Sequence, residues 1–544
     1  MPTPADLVVH GNIWTGDAVR TWARAIAVRG NRIVALGTPD DVAELVGPST
    51  RVVDATGKLV TPGFQDSHIH APFAGRNMLH VYLLDTHGRD NYLAQIKAYA
   101  DAHPDREWIK GGGWAMEYFP GGCPTKDDLD AIVPDRPVFL FNKDTHGAWV
   151  NSKALEVAGI DDSVADPSDG RYERDAQGRL TGMLHEGAAY SFEDRFVPKP
   201  DHDEWKNAIL GAQTYLHRLG ITAWQDAWVT PDTLDAYAAL AAEDKLTARV
   251  VGALWWDRHR GVEQIPEFVQ QRERASGGRF SPTTIKMMTD GVLENYTGSL
   301  LAPYCDGCGG HTDNSGLQFI EPDVLNAALD QFTGLGFQVH LHTIGDRAVR
   351  LALDAIEHAI AVHGRHDLRH HLAHVQVVHP DDLPRFRELD AVVNAQTFWA
   401  QSDAQMDELT VPFLGEDRVA QMYPFGDLAR SGAVLAMGSD WPVTTPDPLQ
   451  QMEVAVTRIG PDDRSRPPFL PGQAIPLAQA LAGFTSGSAY VNHDEHDAGT
   501  LEVGKRADLV VIDRDLFALD AGPIGDARVE LTVSNGHVVH DIVN

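Results

Sequence analysis

The sequence predicts an α/β protein: a (β/α)₈ TIM-type barrel with a small β-sandwich domain built from both termini and an inserted α+β subdomain. Three observations support this prediction. Both ends of the chain are β-rich, apolar runs alternate with helical stretches in the middle, and one block is too long for a single barrel connection. The chain has 544 residues, which exceeds what one hydrophobic core normally serves, so several structural units are expected.

Short β-branched runs broken by turn signals occupy both ends of the chain. The runs "DLVVHGNIWTGD" and "AIAVRGNRIVALG" lie near the amino end, and "GKRADLVVIDRD" and "VELTVSNGHVVHD" lie near the carboxyl end. Because the two ends share this pattern and flank a different middle, residues 1–62 and 490–544 are predicted to form one small β-sandwich domain. Residues 63–489 would then form the barrel.

The middle of the chain alternates apolar runs with helical stretches, as a parallel α/β fold requires. Eight strands are predicted, beginning with "GFQDSHIH" and continuing at residues 220–227, 248–256, 283–291, 336–346, 370–378, 391–397 and 433–440. A series of eight favours a closed barrel, and a doubly wound open sheet is the alternative. Residues 75–215 separate the first two strands and are predicted to form the inserted subdomain over one mouth of the barrel.

Metal-binding residue types recur where the predicted strands end, which is the edge that carries barrel active sites. Imidazole and carboxylate groups are ligands for Zn²⁺ and similar ions, and strands far apart in sequence become neighbours around a barrel mouth. The candidates are His68, His70, Lys286, His342, His374 and Asp440.

Each candidate also has a structural reading. A His-x-His pair can be a satisfied core or surface pair, and "GSD" before Trp and Pro is a common turn. His340 shares the face of His342 and is expected to lie one layer deeper, where it packs or hydrogen-bonds, whereas His370 and His371 are expected to cap or flank their strand. Lys286 is harder to explain structurally, because a lysine buried in a barrel interior costs several kcal/mol unless it is paired or modified.

The motifs together resemble the amidohydrolase superfamily of metal-dependent hydrolases, in the branch that includes N-substituted formamide deformylases and YtcJ-like proteins. The resemblance covers nearly the whole chain. It rests on "VTPGFQDSHIH", "HGAWVNSKAL", "GRLTGMLHE", "IKMMTDG", "HTIGDRAV", "AHVQ", "GSDWPV" and "GTLEVGKRADLVVID".

This resemblance implies one or two divalent metal ions, with zinc as the leading candidate. It places His68 and His70 at a first metal position, His342 and His374 at a second, and Lys286, carboxylated by CO₂, as a bridging ligand. It also implies that Asp440 binds metal and shuttles a proton. His146 would hold the substrate carbonyl or orient the substrate, with an ordinary loop histidine as the alternative.

The implied activity is hydrolysis of a C–N bond, of amide or formamide type, in a small-molecule amide by metal-activated water. The alternatives are a hydrolase of a cyclic amide or ester, and a non-catalytic barrel that serves as a binding or regulatory scaffold. Each of these functions is compatible with a homodimer or a higher homo-oligomer.

The bulk composition argues against several partner classes. The formal net charge of −32 disfavours nucleic acid and anionic membranes, and no apolar stretch is long enough to span a bilayer. Three cysteines and no recognisable signal peptide predict a reducing, cytoplasmic location. "CDGCGGH", with Cys305 and Cys308, has zinc-knuckle spacing, but a glycine-rich loop is the default interpretation.

Overall fold

The structure, a computed structural model, describes residues 3–307 and 309–543. Its central sheet has eight parallel strands whose spatial order follows the sequence order. The barrel strands, numbered first to eighth below, are Phe64–Ile69, Ile221–Val229, Arg249–Trp255, Phe280–Met288, Gln338–Thr343, His371–His374, Val392–Ala395 and Leu435–Met437.

Backbone hydrogen bonds just beyond the strands join the eighth strand to the first. The Asp440 N–H donates to the His68 carbonyl at 2.7 Å, and the His70 N–H donates to the Trp441 carbonyl at 2.9 Å. The predicted barrel is therefore confirmed and the open doubly wound sheet is wrong. Each predicted strand overlaps an observed one, and most observed strands are shorter because the metal-motif residues extend into the loops.

Helices pack around the barrel and cover its outer face. The clearest is Asp346–His363, whose buried alanine, valine, leucine and isoleucine residues recur at helical spacing. The other helices of this layer are Ala71–Met78, His202–Arg218, Pro231–Ala242, Ile265–Ala275, Pro322–Gly334, Leu383–Glu388, Glu416–Val419, Phe425–Ser431, Pro448–Thr457, Leu477–Ala482 and Ser488–Val491, with π-helical turns at Gln405–Thr410 and Gly483–Gly487.

The two ends of the chain meet in one sheet of seven strands. The predicted sandwich is built as one continuous sheet, because the twelve-residue strand Arg51–Pro62 pairs with strands from both ends. The remaining strands are Leu7–Trp14, Trp22–Arg29, Arg32–Gly37, Leu509–Ile512, Val529–Ser534 and His537–Asp541, with one short helix at Pro39–Val42. An apolar cluster of valine, leucine and isoleucine residues from both termini packs on this sheet.

The block between the first and second barrel strands carries a six-stranded sheet of its own. Its strands are Val81–Tyr82, Ile109–Trp114, Val138–Asn142, Gly147–Val150, Gly170–Arg174 and Leu180–Glu186, and its helices are Arg89–Ala102, Lys126–Asp130, Ser152–Ala158 and Gly187–Phe196. Two apolar clusters cover this sheet. Trp114 is buried in one of them and donates to the Leu140 carbonyl, so it is a core residue of the block.

Short 3₁₀ turns connect several elements, at Ala43–Leu45, Met116–Tyr118, Pro120–Gly122, Val262–Gln264, Pro380–Asp382, Thr397–Trp399, Val411–Phe413, Pro471–Gln473 and Ile524–Asp526. Within the residues that the structure describes, no helix combines the length and the apolar character that crossing a bilayer demands.

Candidate active site at the barrel mouth

One cavity of about 440 Å³ opens at the carboxyl ends of the barrel strands. All seven residues that the sequence singled out for metal binding or catalysis line it: His68, His70, His146, Lys286, His342, His374 and Asp440. Aromatic side chains that the sequence did not single out form much of the remaining wall, namely Tyr190, Trp228, Trp255 and Trp399. The inserted block contributes to the wall through Asp144, Thr145, His146 and Tyr190.

The tightest group in the cavity joins the first and eighth strands. The Nε2 atoms of His68 and His70 lie 3.1 and 3.0 Å from Asp440 Oδ1. Ligand atoms of these three residues lie within 4.8 Å of one another, and all three side chains are largely shielded from solvent. Neither contact is aligned as a hydrogen bond, so Asp440 Oδ1 is buried without a hydrogen-bond partner.

A chain of amide and imidazole groups beneath His68 determines where its proton lies. Its fixed end is Gln338, whose Nε2 donates to the backbone carbonyls of Arg369 at 3.0 Å and Val491 at 2.7 Å. A carbonyl only accepts, so the other atom of the Gln338 amide, Oε1, must be the acceptor for Gln225 Nε2 at 3.1 Å. The orientation of the Gln225 amide follows.

The Gln225 Oε1 atom faces His340 Nδ1 at 2.7 Å, and His340 Nε2 faces His68 Nδ1 at 2.9 Å. His340 must therefore carry its proton on Nδ1 and accept at Nε2, which places the His68 proton on Nδ1. Burial, together with the charge of Lys286, lowers the pKa of His68 to about 3, so this ring holds a single proton. We refer to Gln338, Gln225, His340 and His68 as the amide–imidazole chain.

The amide–imidazole chain leaves a bare lone pair on His68 Nε2, which faces the carboxylate of Asp440. Two acceptor atoms 3.1 Å apart repel each other unless a cation lies between them. The unpartnered Asp440 Oδ1 and the unpartnered Nδ1 of His374 point to the same requirement. The donor set of imidazoles and a carboxylate therefore fits a divalent metal ion.

His342 and His374 form a second pair on neighbouring strands, with ring centroids 4.5 Å apart. His342 Nε2 donates to the Gly291 carbonyl at 3.2 Å, and burial lowers the pKa of this ring well below its usual value, so its Nδ1 holds a free lone pair. His374 Nδ1 lies 3.9 Å from Asp440 Oδ2. Asp440 thus stands between the two histidine pairs.

Lys286 lies on the inner face of the fourth strand and is 2% exposed. Within the described residues its ammonium makes neither a hydrogen bond nor an ion pair. Burial lowers the pKa of Lys286 to about 7, and the Asp440 carboxylate offsets part of this shift. The predicted burial is observed, and the lysine lacks the compensating partner that an unmodified buried ammonium normally has.

His146 reaches the cavity from the inserted block. Its Nδ1 donates to the carboxylate of Glu186 at 2.9 Å, and its ring centroid lies 5.5 Å from that of His342. Burial opposes protonation, but the Glu186 carboxylate outweighs burial and raises the pKa of His146 to about 9. Glu186 is itself buried and also accepts from the Thr297 hydroxyl at 2.7 Å. This pKa favours the doubly protonated ring at neutral pH, and within the described residues the His146 Nε2 atom makes no hydrogen bond.

Four non-glycine residues of the site adopt the left-handed backbone region, at φ values of 64° for Thr145, 52° for Glu186, 72° for His374 and 59° for Asp440. Such conformations cost about 1–3 kcal/mol each and persist only where surrounding contacts fix them. Because these residues lie around one cavity, we infer that contacts with the rest of the fold hold their backbone in conformations that non-glycine residues rarely adopt.

Several residues have roles that the sequence did not reveal. Glu186 lies within the quoted motif "GRLTGMLHE" and could have been found as its acidic residue, whereas no sequence pattern marks Gln225. His340 hydrogen-bonds to His68, which agrees with the expectation that it packs or hydrogen-bonds, although the sequence did not identify its partner. His371 begins the sixth strand with its ring 4.0 Å from that of His340.

Two acidic residues organise the loops around the site. Asp290 accepts the backbone N–H groups of residues 299, 344 and 345. Gly345 is the N-cap of the following helix, and Asp346 accepts the Leu301 N–H at 2.8 Å. Cys305 lies 3.9 Å from His311 Nδ1, but Cys308 is outside the described residues, so the zinc knuckle stays untested.

Comparisons with known proteins agree with this geometry. The model of the amidohydrolase family matches residues 51–540. The YtcJ protein of Bacillus subtilis (strain 168) is 28% identical over 97% of this chain and 99% of its own length. The N-substituted formamide deformylase of Arthrobacter pascens is 25% identical over 97% of both chains. An uncharacterized metal-dependent hydrolase from Pyrococcus furiosus superposes with a TM-score of 0.71 at 28% identity, covering 94% of this chain and 99% of that one.

Proposed function

Because this chain belongs to the amidohydrolase family, in the branch of YtcJ and the formamide deformylases, we propose that it hydrolyses a C–N bond of amide or formamide type with the help of divalent metal. The observation that carries the proposal is the convergence of four histidines, Asp440 and Lys286 on one cavity, with acceptor atoms facing each other at 3.1 Å.

The residues present can hold one or two ions. His68, His70 and Asp440 form the first set, and His342 and His374 form the second, with Asp440 between the sets. Zinc suits a site of imidazole and carboxylate ligands. When bound, such an ion supplies a Lewis acid and lowers the pKa of water from about 15.7 to about 7.

Lys286 becomes a ligand if its amine is carboxylated. The ammonium first releases one proton to water. The neutral amine then attacks the carbon of CO₂, a new N–C bond forms as one C=O π pair moves to oxygen, and the nitrogen releases a second proton to water, so a cation is replaced by a carbamate anion. This change removes the cost of a buried, unpartnered ammonium and gives the cavity a second anionic oxygen donor beside Asp440. The surroundings of Lys286 support this proposal, because the side chain is buried beside histidines and the Asp440 carboxylate offsets only part of the effect of that burial.

Two residues carry the proton chemistry. Asp440 is placed to accept the proton of the attacking water and to return it to the leaving nitrogen. His146, kept as a cation by Glu186, can donate its free N–H to the carbonyl oxygen as negative charge develops there. The glutamate holds the ring in place, so the donor is already oriented before the substrate binds.

The decisive experiment measures metal content and turnover in the same samples. Protein stripped with a chelator and reloaded with Zn²⁺ is assayed against a series of N-substituted formamides and acyl amides. We expect the reloaded protein to hold zinc and to hydrolyse at least one series, and we expect Asp440→Asn to lower kcat by about 10²–10⁴-fold. His68→Ala should lose zinc, whereas His358→Ala, an exposed histidine on an outer helix, should retain both zinc and activity.

Each outcome separates the alternatives. Turnover of cyclic amides or esters in place of open-chain amides would support the neighbouring hydrolase class. A protein that neither retains zinc nor turns over any of these substrates would support the non-catalytic scaffold. Carbon-13 NMR after equilibration with ¹³CO₂ tests Lys286 separately, since a carbamate signal that disappears in Lys286→Ala identifies the modified side chain.

A further inference from the structure

A second cavity of about 550 Å³ adjoins the active-site cavity. The two share three wall residues, namely Asp144, Trp399 and Val443. The second cavity is otherwise formed by the loop after the fourth strand and by the segment that follows the seventh strand, including the π-helical turn Gln405–Thr410. A substrate bound at the metal-binding residues can therefore extend into it.

The charged groups of this second cavity are mostly acidic. Three carboxylates line it, those of Asp144, Glu294 and Asp403, against the single ammonium of Lys143. That ammonium is already engaged outside the lining, because its Nζ lies 3.4 Å from Glu117 Oε1. The cavity therefore favours a positively charged occupant.

Two acceptor atoms in the wall have no donor. Among the residues that the structure describes, Asp144 Oδ2 and Gln405 Oε1 are buried without a hydrogen-bond partner. Asp144 is 6% exposed, and its other oxygen already accepts the backbone N–H of His146 at 2.9 Å. Because buried acceptors are normally paired, both atoms are suited to N–H donors brought in by a ligand.

The aromatic wall suits the same chemistry. Trp399, Phe398 and Tyr423 line the cavity beside the carboxylates. Aromatic faces attract ammonium and guanidinium groups, and the attraction is larger where the cation is shielded from water. Trp399 is held in position by the ring of His374, which stacks on it at 4.9 Å with an interplanar angle of 10°.

We propose that the second cavity is a specificity subsite for a cationic N–H donor, so that the preferred substrates are amides or formamides whose far end carries a protonated amine. This inference rests on the proposed function, because it places the scissile bond at the metal-binding residues. It assigns Asp144, Asp403 and Gln405 to recognition of the distant cation, with Glu294 contributing negative charge.

The test compares substrates that differ only in the distant charge. N-formyl-1,4-diaminobutane and N-formylpentylamine have equal length, with an ammonium in the first where the second has a methyl group. Both are assayed with the zinc-loaded enzyme, together with shorter and longer homologues. Since hydrogen bonds to charged groups contribute about 1.5–3 kcal/mol, we expect the ammonium substrate to have a kcat/KM about 10- to 100-fold higher at the best chain length.

Substitutions in the second cavity test which side chains produce the preference for the ammonium substrate. Asp403→Asn keeps an acceptor for the Met406 N–H, which Asp403 Oδ1 now accepts at 2.7 Å, so the π-helical turn retains that bond while the charge is lost. We expect this variant to reduce the ratio of the two kcat/KM values by about tenfold. Glu408→Gln is the matched control, because Glu408 is an exposed carboxylate on the same turn that does not line the cavity, and it should keep the wild-type ratio.

Failure of this inference differs from failure of the proposed function. If the amides are hydrolysed but the ratio is near one at every chain length, or is unchanged in Asp403→Asn, the subsite is refuted and the hydrolase stands. If neither amide is hydrolysed, the proposed function fails for this class, and the same uncleaved pair is titrated by calorimetry. Tighter binding of the ammonium compound that weakens in Asp403→Asn would still support the subsite, and equal binding would refute it.

Discussion

The substitution Gln225→Met tests whether the amide–imidazole chain controls His68, which we propose as a metal ligand. Methionine matches glutamine in length but provides no strong acceptor, so the N–H on His340 Nδ1 would be buried without a partner. The proton can then move to His340 Nε2, and His68 must respond by placing its own proton on Nε2, where it blocks the lone pair that faces Asp440. We therefore expect weaker metal binding without any change in a ligand.

The size of the effect follows from the contacts that are lost. Gln225 makes three side-chain hydrogen bonds, to Gln338, Asn492 and His340, at 3.1, 2.9 and 2.7 Å. At about 0.5–1.5 kcal/mol for each bond, the fold should lose about 2–4 kcal/mol of stability. Groups that orient a metal ligand typically change metal affinity by about 10–100-fold, which corresponds to about 1.4–2.7 kcal/mol.

Zinc affinity is measured by competition with a chromophoric chelator, and stability by denaturant unfolding of the metal-free protein. The matched control is Gln213→Met, because Gln213 is also buried and makes three side-chain contacts with backbone groups of residues 245, 247 and 248, far from the cavity. Both variants should lose similar stability, and only Gln225→Met should lose zinc affinity. Wild-type zinc affinity in a folded Gln225→Met protein would refute the tautomer argument.

Two further substitutions test other parts of the structure. Glu186→Gln removes the charge that keeps His146 protonated, so kcat on the best amide should fall by about 10²–10³-fold. The circular dichroism spectrum should stay unchanged. An unaltered kcat would show that a protonated His146 is dispensable. Arg249→Leu leaves the buried carboxylate of Asp508 without its partner at 2.6 Å and should lower the free energy of unfolding by about 3–5 kcal/mol, whereas Arg274→Leu, at an exposed ion pair, should change it by less than about 1 kcal/mol.

The fold could be predicted because its signals are local. Each barrel strand is a short apolar run followed by a helical stretch, and the order of such units fixes a parallel sheet with few alternatives. The continuous terminal sheet was harder to predict, since its central strand, Arg51–Pro62, pairs on one side with Leu509–Ile512, which is more than four hundred residues away in the sequence. No local pattern reports such a pairing.

The candidate metal-binding residues could be found from the sequence for a related reason. His68, His70, Lys286, His342 and Asp440 stand where strands end, and strand ends can be located from the sequence. The residues that complete the site from loops, such as Asp144 and Trp399, could not be found in this way, because loop conformation decides which side chain faces inward. The φ of 52° at Glu186 illustrates this, since a backbone held in the left-handed region by distant contacts has no sequence signature of its own.

The amide–imidazole chain shows why such residues matter to the chemistry. A hydrogen-bond chain has a direction, and one end must fix it. Here that end is Gln338, whose Nε2 donates to two backbone carbonyls, and every later link inherits its polarity. If the same groups were arranged with the opposite polarity, the contacts would remain but His68 would present a proton to the cavity where a lone pair is needed. The metal binding that we propose for the barrel mouth thus depends on backbone carbonyls at the far end of the amide–imidazole chain, four hydrogen bonds from His68.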